Sequence, residues 1–237
     1  QGKSVAEIIN ATAGIEINGA NSQAGQNLNY YVRGGKNRQV LILIDGIAVS
    51  DPSQIANDYD LRLLNANQVE SIEILKGASS TLYGSGAGTA VINIKLKEAS
   101  KKAISANFKS TIGTNQSQED TNYNLNNFQN NVSVNGTLNK LSYLASFGNQ
   151  YTDGLSSLAN GTETDVYNAI NGNLKLGYRF SEAFKMTVNG SWDKFKADFD
   201  DGFASMDSND LSTTKQQRYG FSPEYTYKKG SLSLNAA

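Results

Sequence analysis

The chain has 237 residues, 21 Lys+Arg against 22 Asp+Glu for a formal net charge of -1, and neither His nor Cys. Ser-His-Asp and Cys-His catalysis, imidazole- or thiolate-bound zinc, disulfide frameworks and iron–sulfur clusters are therefore excluded, and the balanced charge gives no electrostatic footprint for nucleic acid. No apolar run approaches the roughly 18–20 residues of a membrane-spanning helix, and no leader-like segment opens the chain, so Gln1 is not expected to be a native start.

From Gln1 to Glu98 the apolar residues fall in short clusters of mixed period, the pattern of a small α+β domain. Ser4-Val-Ala-Glu7 fits a capping box, so a short helix begins there and ends near Gly14. Strands are expected at Ile15–Ile17, Tyr30–Arg33 and Val40–Ile44, the last apolar enough to be buried on both faces, before a turn at Asp45-Gly46. A helical turn near Leu61–Leu64, a strand over Val69–Lys76, a Gly/Ser-rich link from Gly77 to Gly88 and a strand over Ala90–Leu96 complete the domain.

Beyond Lys101 the sequence alternates, with one parity per segment. Ile104, Ala106, Phe108 and Ile112 share one face; Ser105, Asn107, Lys109 and Thr111 share the other. Five further stripes follow: Phe128 to Val134, Leu141 to Tyr151, Ile170 to Phe180, Phe184 to Trp192, and Tyr219 to Tyr227, with Leu232 and Leu234 beginning a seventh. Connections alternate between tight (Asn139-Lys140, Ser181–Ala183, Lys228–Gly230) and long (114 to 127, 152 to 166, roughly 197 to 214). Short turns on one rim, long loops on the other and aromatics near strand ends describe an outer-membrane barrel, apolar outside and polar within, its loops extracellular and its turns periplasmic. A soluble sandwich also alternates, but it needs its apolar faces to meet across a core. The fold expected is mostly β: a small α+β domain over 1–98, then, over 103–237, six antiparallel transmembrane strands and part of a seventh.

Five short motifs carry a resemblance. Tyr31-Val32-Arg33-Gly34, Leu43-Ile44-Asp45-Gly46, Val69-Glu-Ser-Ile-Glu-Ile-Leu-Lys-Gly77, Leu82-Tyr83-Gly84 and Ala90-Val-Ile-Asn-Ile94, in that order, resemble the plug domain of TonB-dependent outer-membrane transporters. The resemblance implies a plug folded inside a barrel of roughly 22 strands, of which this chain supplies under a third. It also implies active import of a scarce large nutrient, driven through the inner-membrane TonB complex, with outer-membrane lipid around the wall and no bond chemistry or resident cofactor. Plug-structural residues are Arg33, Gly34, Asp45, Gly46, Glu70, Glu73, Lys76, Gly77, Tyr83 and Gly84. The charged members either pair within a polar lumen or are ordinary solvated strand charges. The resemblance puts ligand binding on two plug loops, at Ser22, Gln23, Gln26 and Asn27 and at Ser50, Asp51, Ser53 and Gln54.

Other readings follow from particular residues. Gly77-Ala-Ser-Ser-Thr-Leu-Tyr-Gly84 lacks the Gly-Lys-Ser/Thr ending of a phosphate loop. Acidic loop residues offer calcium ligands at Glu163, Asp165, Asp200 and Asp207, or are simply solvated. The stretch Tyr151 to Tyr227 looks like the cobalamin-transporting branch, which leaves corrinoid and ferric siderophore as the two substrate classes. A surface lipoprotein partner belongs to the carbohydrate-importing branch, whose Lys-Asp pair is replaced here by Lys76-Gly77. The rival class is a passive porin or a surface β-adhesin without energy coupling.

Overall fold

The computed structural model describes residues 3–22, 24–53, 58–78, 80–116, 124–156, 164–201 and 206–237. They divide into two compact units, one of Ser22–Gln26 with Ala99–Leu234, the other of the residues up to Asn21 with Asn27–Glu98 and Asn235–Ala237.

The second unit opens with helix α1 (Val5–Asn10), which buries Val5, Ala6 and Ile9. Its capping box forms: the Glu7 amide donates to Ser4 Oγ at 3.1 Å and the Ser4 amide to Glu7 Oε2 at 2.6 Å. Strands β1 (Ile15–Asn18) and β2 (Asn29–Val32) pair antiparallel and bury Ile15, Ile17, Tyr30 and Val32. A four-stranded sheet follows in the order β4-β3-β6-β5, from β3 (Val40–Ile44), β4 (Ile47–Ala48), β5 (Val69–Lys76) and β6 (Ala90–Leu96). β3 runs parallel to β6 and antiparallel to β4. Val40, Ile42, Leu43 and Ile44 are all buried, because both faces of this central strand are covered and polar alternation there would strand unpaired groups. Leu43 and Val91 form one side's core with Ala87 and Leu41. Leu61–Leu63 is a 3₁₀ turn capped by Asp60. The Gly/Ser-rich link is not wholly irregular; it contains a single helical turn, α2 (Ser80–Tyr83).

The first unit is a seven-stranded sheet in which each strand pairs with the next: β7 (Ser105–Gly113), β8 (Asn127–Leu138), β9 (Leu141–Thr152), β10 (Tyr167–Arg179), β11 (Phe184–Asp201), β12 (Met206–Tyr227) and β13 (Gly230–Ser233). Every pairing is antiparallel. Register carries one row across five strands, Phe108↔Val132↔Phe147↔Gly172↔Trp192. A sandwich would bury this row against a second sheet, yet Phe108 is 71% exposed, Val132 42%, Phe147 50% and Trp192 41%. Alternate positions Asn171, Asn173, Ser191 and Asp193 are buried on the opposite face. Aromatics gather at both ends of the apolar band: Phe128 with Tyr151 and Trp192 with Tyr219 toward the long connections, and Tyr178, Phe180 and Phe184 toward the short turns.

Two sequence expectations are corrected here. Most of the stretch 197 to 214 is strand rather than loop: β11 runs to Asp201 and β12 begins at Met206, with Phe199↔Asp210 and Asp201↔Met206 in register. The lipid-facing stripe of β11 ends at Trp192, but backbone pairing persists beyond it, with Phe195, Ala197 and Phe199 now at the opposite parity. Nor is the second face uniformly polar, since Leu144, Tyr167, Ala169, Phe195 and Ala197 are buried on it. Tyr167 and Phe195 pack with ring centroids 5.9 Å apart.

Candidate functional site

In the N-terminal unit the β3–β4 hairpin turns on Asp45 and Gly46, with φ of 51° and 80°, the two positive values a type I′ turn requires. Asp45 also fixes the hairpin to β6: its amide donates to the Ile94 carbonyl at 3.0 Å, and its Oδ1 accepts from the Leu96 amide at 2.9 Å. The Gly46 amide donates to Asn93 Oδ1 at 3.3 Å. The segment after the hairpin is tied by Asp51, whose buried Oδ1 accepts from the Ser53 amide at 2.9 Å and the Ser53 hydroxyl at 2.6 Å. Ser50 and Ser53 are exposed, whereas Gln54 lies outside the described residues. This loop therefore presents hydroxyls and keeps its carboxylate for itself.

The other expected ligand loop has Ser22 and Asn27 exposed, Gln26 half-buried, and Gln23 outside the described residues. Its base is pinched where a Cβ on Gly19 would lie 2.6 Å from the Asn27 carbonyl oxygen. Within the strand unit, Gly25 has φ of +99°, and a Cβ there would meet the Ala197 Cβ at 3.0 Å and the Tyr167 ring at 3.2 Å. Neither glycine is marked by a turn motif; positive φ at both, with backbone approach at Gly19 and side-chain approach at Gly25, explains them.

Among the expected structural charges, Glu73 accepts from Lys95 Nζ at 2.6 Å and from Asn93 Nδ2 at 3.3 Å. These contacts, the Lys95 hydrogen bond foremost, hold the Glu73 carboxyl below its usual range, though both side chains are exposed and the pair adds little to stability. Lys76 donates to the Ala13 carbonyl. Arg33 (φ 49°) and Glu70 are exposed, and among the described residues none of these four charges pairs with another. Gly34, Gly77 and Gly84 all have positive φ at reversals, and Tyr83 is exposed.

A buried polar knot beside the second loop was not visible in the sequence. Tyr30 OH donates to the Tyr59 carbonyl at 3.1 Å, and both rings are buried. Burial, then the charges of Asp58 and Asp60, push the Tyr30 phenol well up. Asn37 accepts from the Tyr30 amide at 2.7 Å and donates to Asp58 Oδ2 at 2.7 Å, while Arg62 and Asp60 pair at 2.6 Å. The available signal was a tyrosine at an inward strand position, which needs a partner for its hydroxyl.

On the polar face of the strand unit, Asp193 accepts from Asn171 Nδ2 at 3.0 Å and lies 3.4 Å from Arg218 Nη2. Of the expected calcium ligands, Asp165 is buried and Asp200 is half-buried on β11. Glu163 and the Asp207 side chain lie outside the described ones, and among the described residues no three His, Cys, Asp or Glu side chains converge.

Residues 1–91 match the family model described as the TonB-dependent receptor plug domain. These first 91 residues carry a TonB-dependent receptor plug domain. It is 35% identical over 102 residues to the vitamin B12 transporter BtuB of Vibrio cholerae, a match spanning 43% of this chain and 16% of that protein. It is 32% identical over 105 residues to the ferric enterobactin receptor of Pseudomonas aeruginosa, spanning 40% of this chain and 14% of that one. The siderophore receptor PirA of Acinetobacter baumannii superposes on 98% of the chain at TM-score 0.74 and 20% identity, using 36% of its own length. The ferric enterobactin receptor PfeA in complex with BCV-L6 covers 98% of the chain at TM-score 0.74 and 18% identity, over 37% of its length. These structural likenesses extend the shared fold from the plug through the antiparallel strands. The relatives are named as transporters and receptors, not as enzymes. The chain thus spans 16% of the first such curated relative and a little over a third of the solved chains, such as 36% of PirA.

Proposed function

We propose that the receptor to which this chain belongs actively imports a corrinoid or a ferric siderophore across the outer membrane, coupled to the TonB complex through the plug. The observation that carries the reading is a plug-family unit followed at once by antiparallel strands with an exposed apolar face. A porin has no use for such a plug, and a soluble adhesin has no use for such a face. The two plug loops supply the binding groups: Ser22, Gln23, Gln26 and Asn27 on one, Ser50, Ser53 and Gln54 on the other, with Asp51 holding the second loop in shape. Hydroxyls and amides suit a large polar ligand that is bound tightly enough to collect and weakly enough to release. Calcium at Glu163, Asp165, Asp200 and Asp207 is proposed to order the outer end; titration of the full receptor that gives no heat with Ca²⁺ removes it.

Uptake of labelled cyanocobalamin and of a labelled ferric catecholate by cells whose only such receptor is the full-length protein tests this directly. Accumulation of one of them, abolished by a protonophore, supports the proposal. Accumulation of neither, or entry indifferent to the protonophore, contradicts it.

A further inference from the structure

On the apolar face of the strand unit the hydrophobic band reaches Trp192 and Tyr219, and then its chemistry changes. Toward the long connections the same face continues with Lys194 next after Trp192 on β11 and, directly opposite it, Lys215, which on β12 follows Tyr219 after the exposed Gln217. Lys196 stands two residues farther along β11, diagonal to Lys215 and opposite Thr213. All three lysines are exposed and share the parity, hence the face, of Trp192 or Tyr219. Among the described residues none of them forms an ion pair. Beyond them on β11, Asp198 and Asp200 share the lysines' parity and are half-buried, and Asp198 stands opposite Leu211 rather than a lysine.

Two ammonium groups opposed across neighbouring strands repel each other, and the ladder gains nothing from holding them there. On a membrane wall a lysine is tolerated only near the interface, where its long stem lies along apolar surface and its head reaches water or an anion. The aromatic pair just below marks that level: the Trp192 indole N–H donates to Tyr219 OH at 3.2 Å. An anion placed between the lysines converts their repulsion into a shared attraction, and Lys acts as a point charge toward phosphate oxygens.

The geometry points to a headgroup site for a phosphate-bearing lipid of the outer leaflet, with Lys194, Lys196 and Lys215 on the phosphate and Trp192, Tyr219 and the rows below along the acyl chains. Continuity with the apolar band favours a lipid over free phosphate, because a ligand offering an anion at this height must be anchored in the hydrocarbon beside it. The inference requires that the strands cross the membrane and is independent of what the receptor imports.

Binding of purified diphosphoryl lipid A to the full-length receptor in detergent, followed by thermophoresis, tests it. Wild type is expected to bind this lipid at least about tenfold more tightly than the dephosphorylated lipid with the same acyl chains, and the K194Q/K215Q variant to lose that preference. Inorganic phosphate at millimolar concentration should not displace the lipid. Equal binding of the two lipids by wild type, a preference retained in a folded K194Q/K215Q variant, or displacement by inorganic phosphate overturns the assignment. The comparison of lipids on wild type alone decides the matter if the variant fails to fold.

Discussion

Trp192 and Asp193 are consecutive residues of β11 with opposite surroundings: the indole is 41% exposed beside Tyr219, while the carboxylate is 4% exposed between Asn171 and Arg218. A period of two separates them onto the two faces of one strand, so a single sequence step passes from hydrocarbon-facing to polar surroundings.

That division predicts an asymmetric response to charge. Leu174→Arg, on the apolar face, should cost about 2–4 kcal/mol of barrel stability in lipid, while Thr187→Arg on the other face should cost much less. Urea unfolding of the full receptor refolded into vesicles reads both.

Asp193 is buried and held by two partners, so removing it leaves Asn171 and Arg218 without their shared acceptor. Asp193→Ala should destabilise the wall by about 3 kcal/mol. Asp193→Asn, which keeps the shape and an acceptor oxygen, should cost less in the same unfolding assay.

Tyr30 predicts an alkaline weakness of the plug unit. Its phenol is pushed up in the folded chain, mainly by burial, so its contribution is full below the unfolded value of about 10 and falls away as pH rises from there toward the folded value. Tyr30→Phe should lose about 1 kcal/mol near neutral pH with the Tyr59 bond, and should also lose this step above pH 10. Amide hydrogen exchange of β1 and β2 against pH measures both effects.

Gly25 predicts a steric limit at the first proposed ligand loop. Its φ of +99° and the 3.0 Å approach to Ala197 mean that Gly25→Val strains the backbone and displaces a neighbour. A loss of about 1–3 kcal/mol in local stability is expected, seen as faster exchange over residues 22 to 27, together with weaker ligand binding.

Much of this was legible in the chain itself. The capping box at Ser4 and Glu7, the doubly buried β3 and the hairpin at Asp45-Gly46 are local chemistry, and local chemistry is written in short motifs. The apolar stripes from Ile104 to Tyr227 were legible because lipid and lumen impose opposite preferences on successive residues. What escaped was set by contacts distant in sequence. The continuation of β11 and β12 past Lys194 and Lys215 rests on backbone pairing beyond the lipid-facing stripe, where the apolar residues of β11, Phe195, Ala197 and Phe199, have moved to the other parity. The buried Tyr167–Phe195 patch interrupts a polar face for reasons of packing. The Tyr30–Tyr59 bond joins residues 29 apart, and Gly19 and Gly25 answer to neighbours that only folding supplies.

Paired spin labels test the central claim most directly. The chain contains no Cys, so single cysteines at Val134 and Ser133, introduced separately into an otherwise Cys-free full receptor in vesicles, report adjacent positions of β8 on opposite faces. The label at 134 should relax strongly with membrane-dissolved oxygen and weakly with an aqueous nickel chelate, and the label at 133 should not share that oxygen preference. Equal responses at the two positions, or nickel access at 134, would contradict a lipid-facing wall.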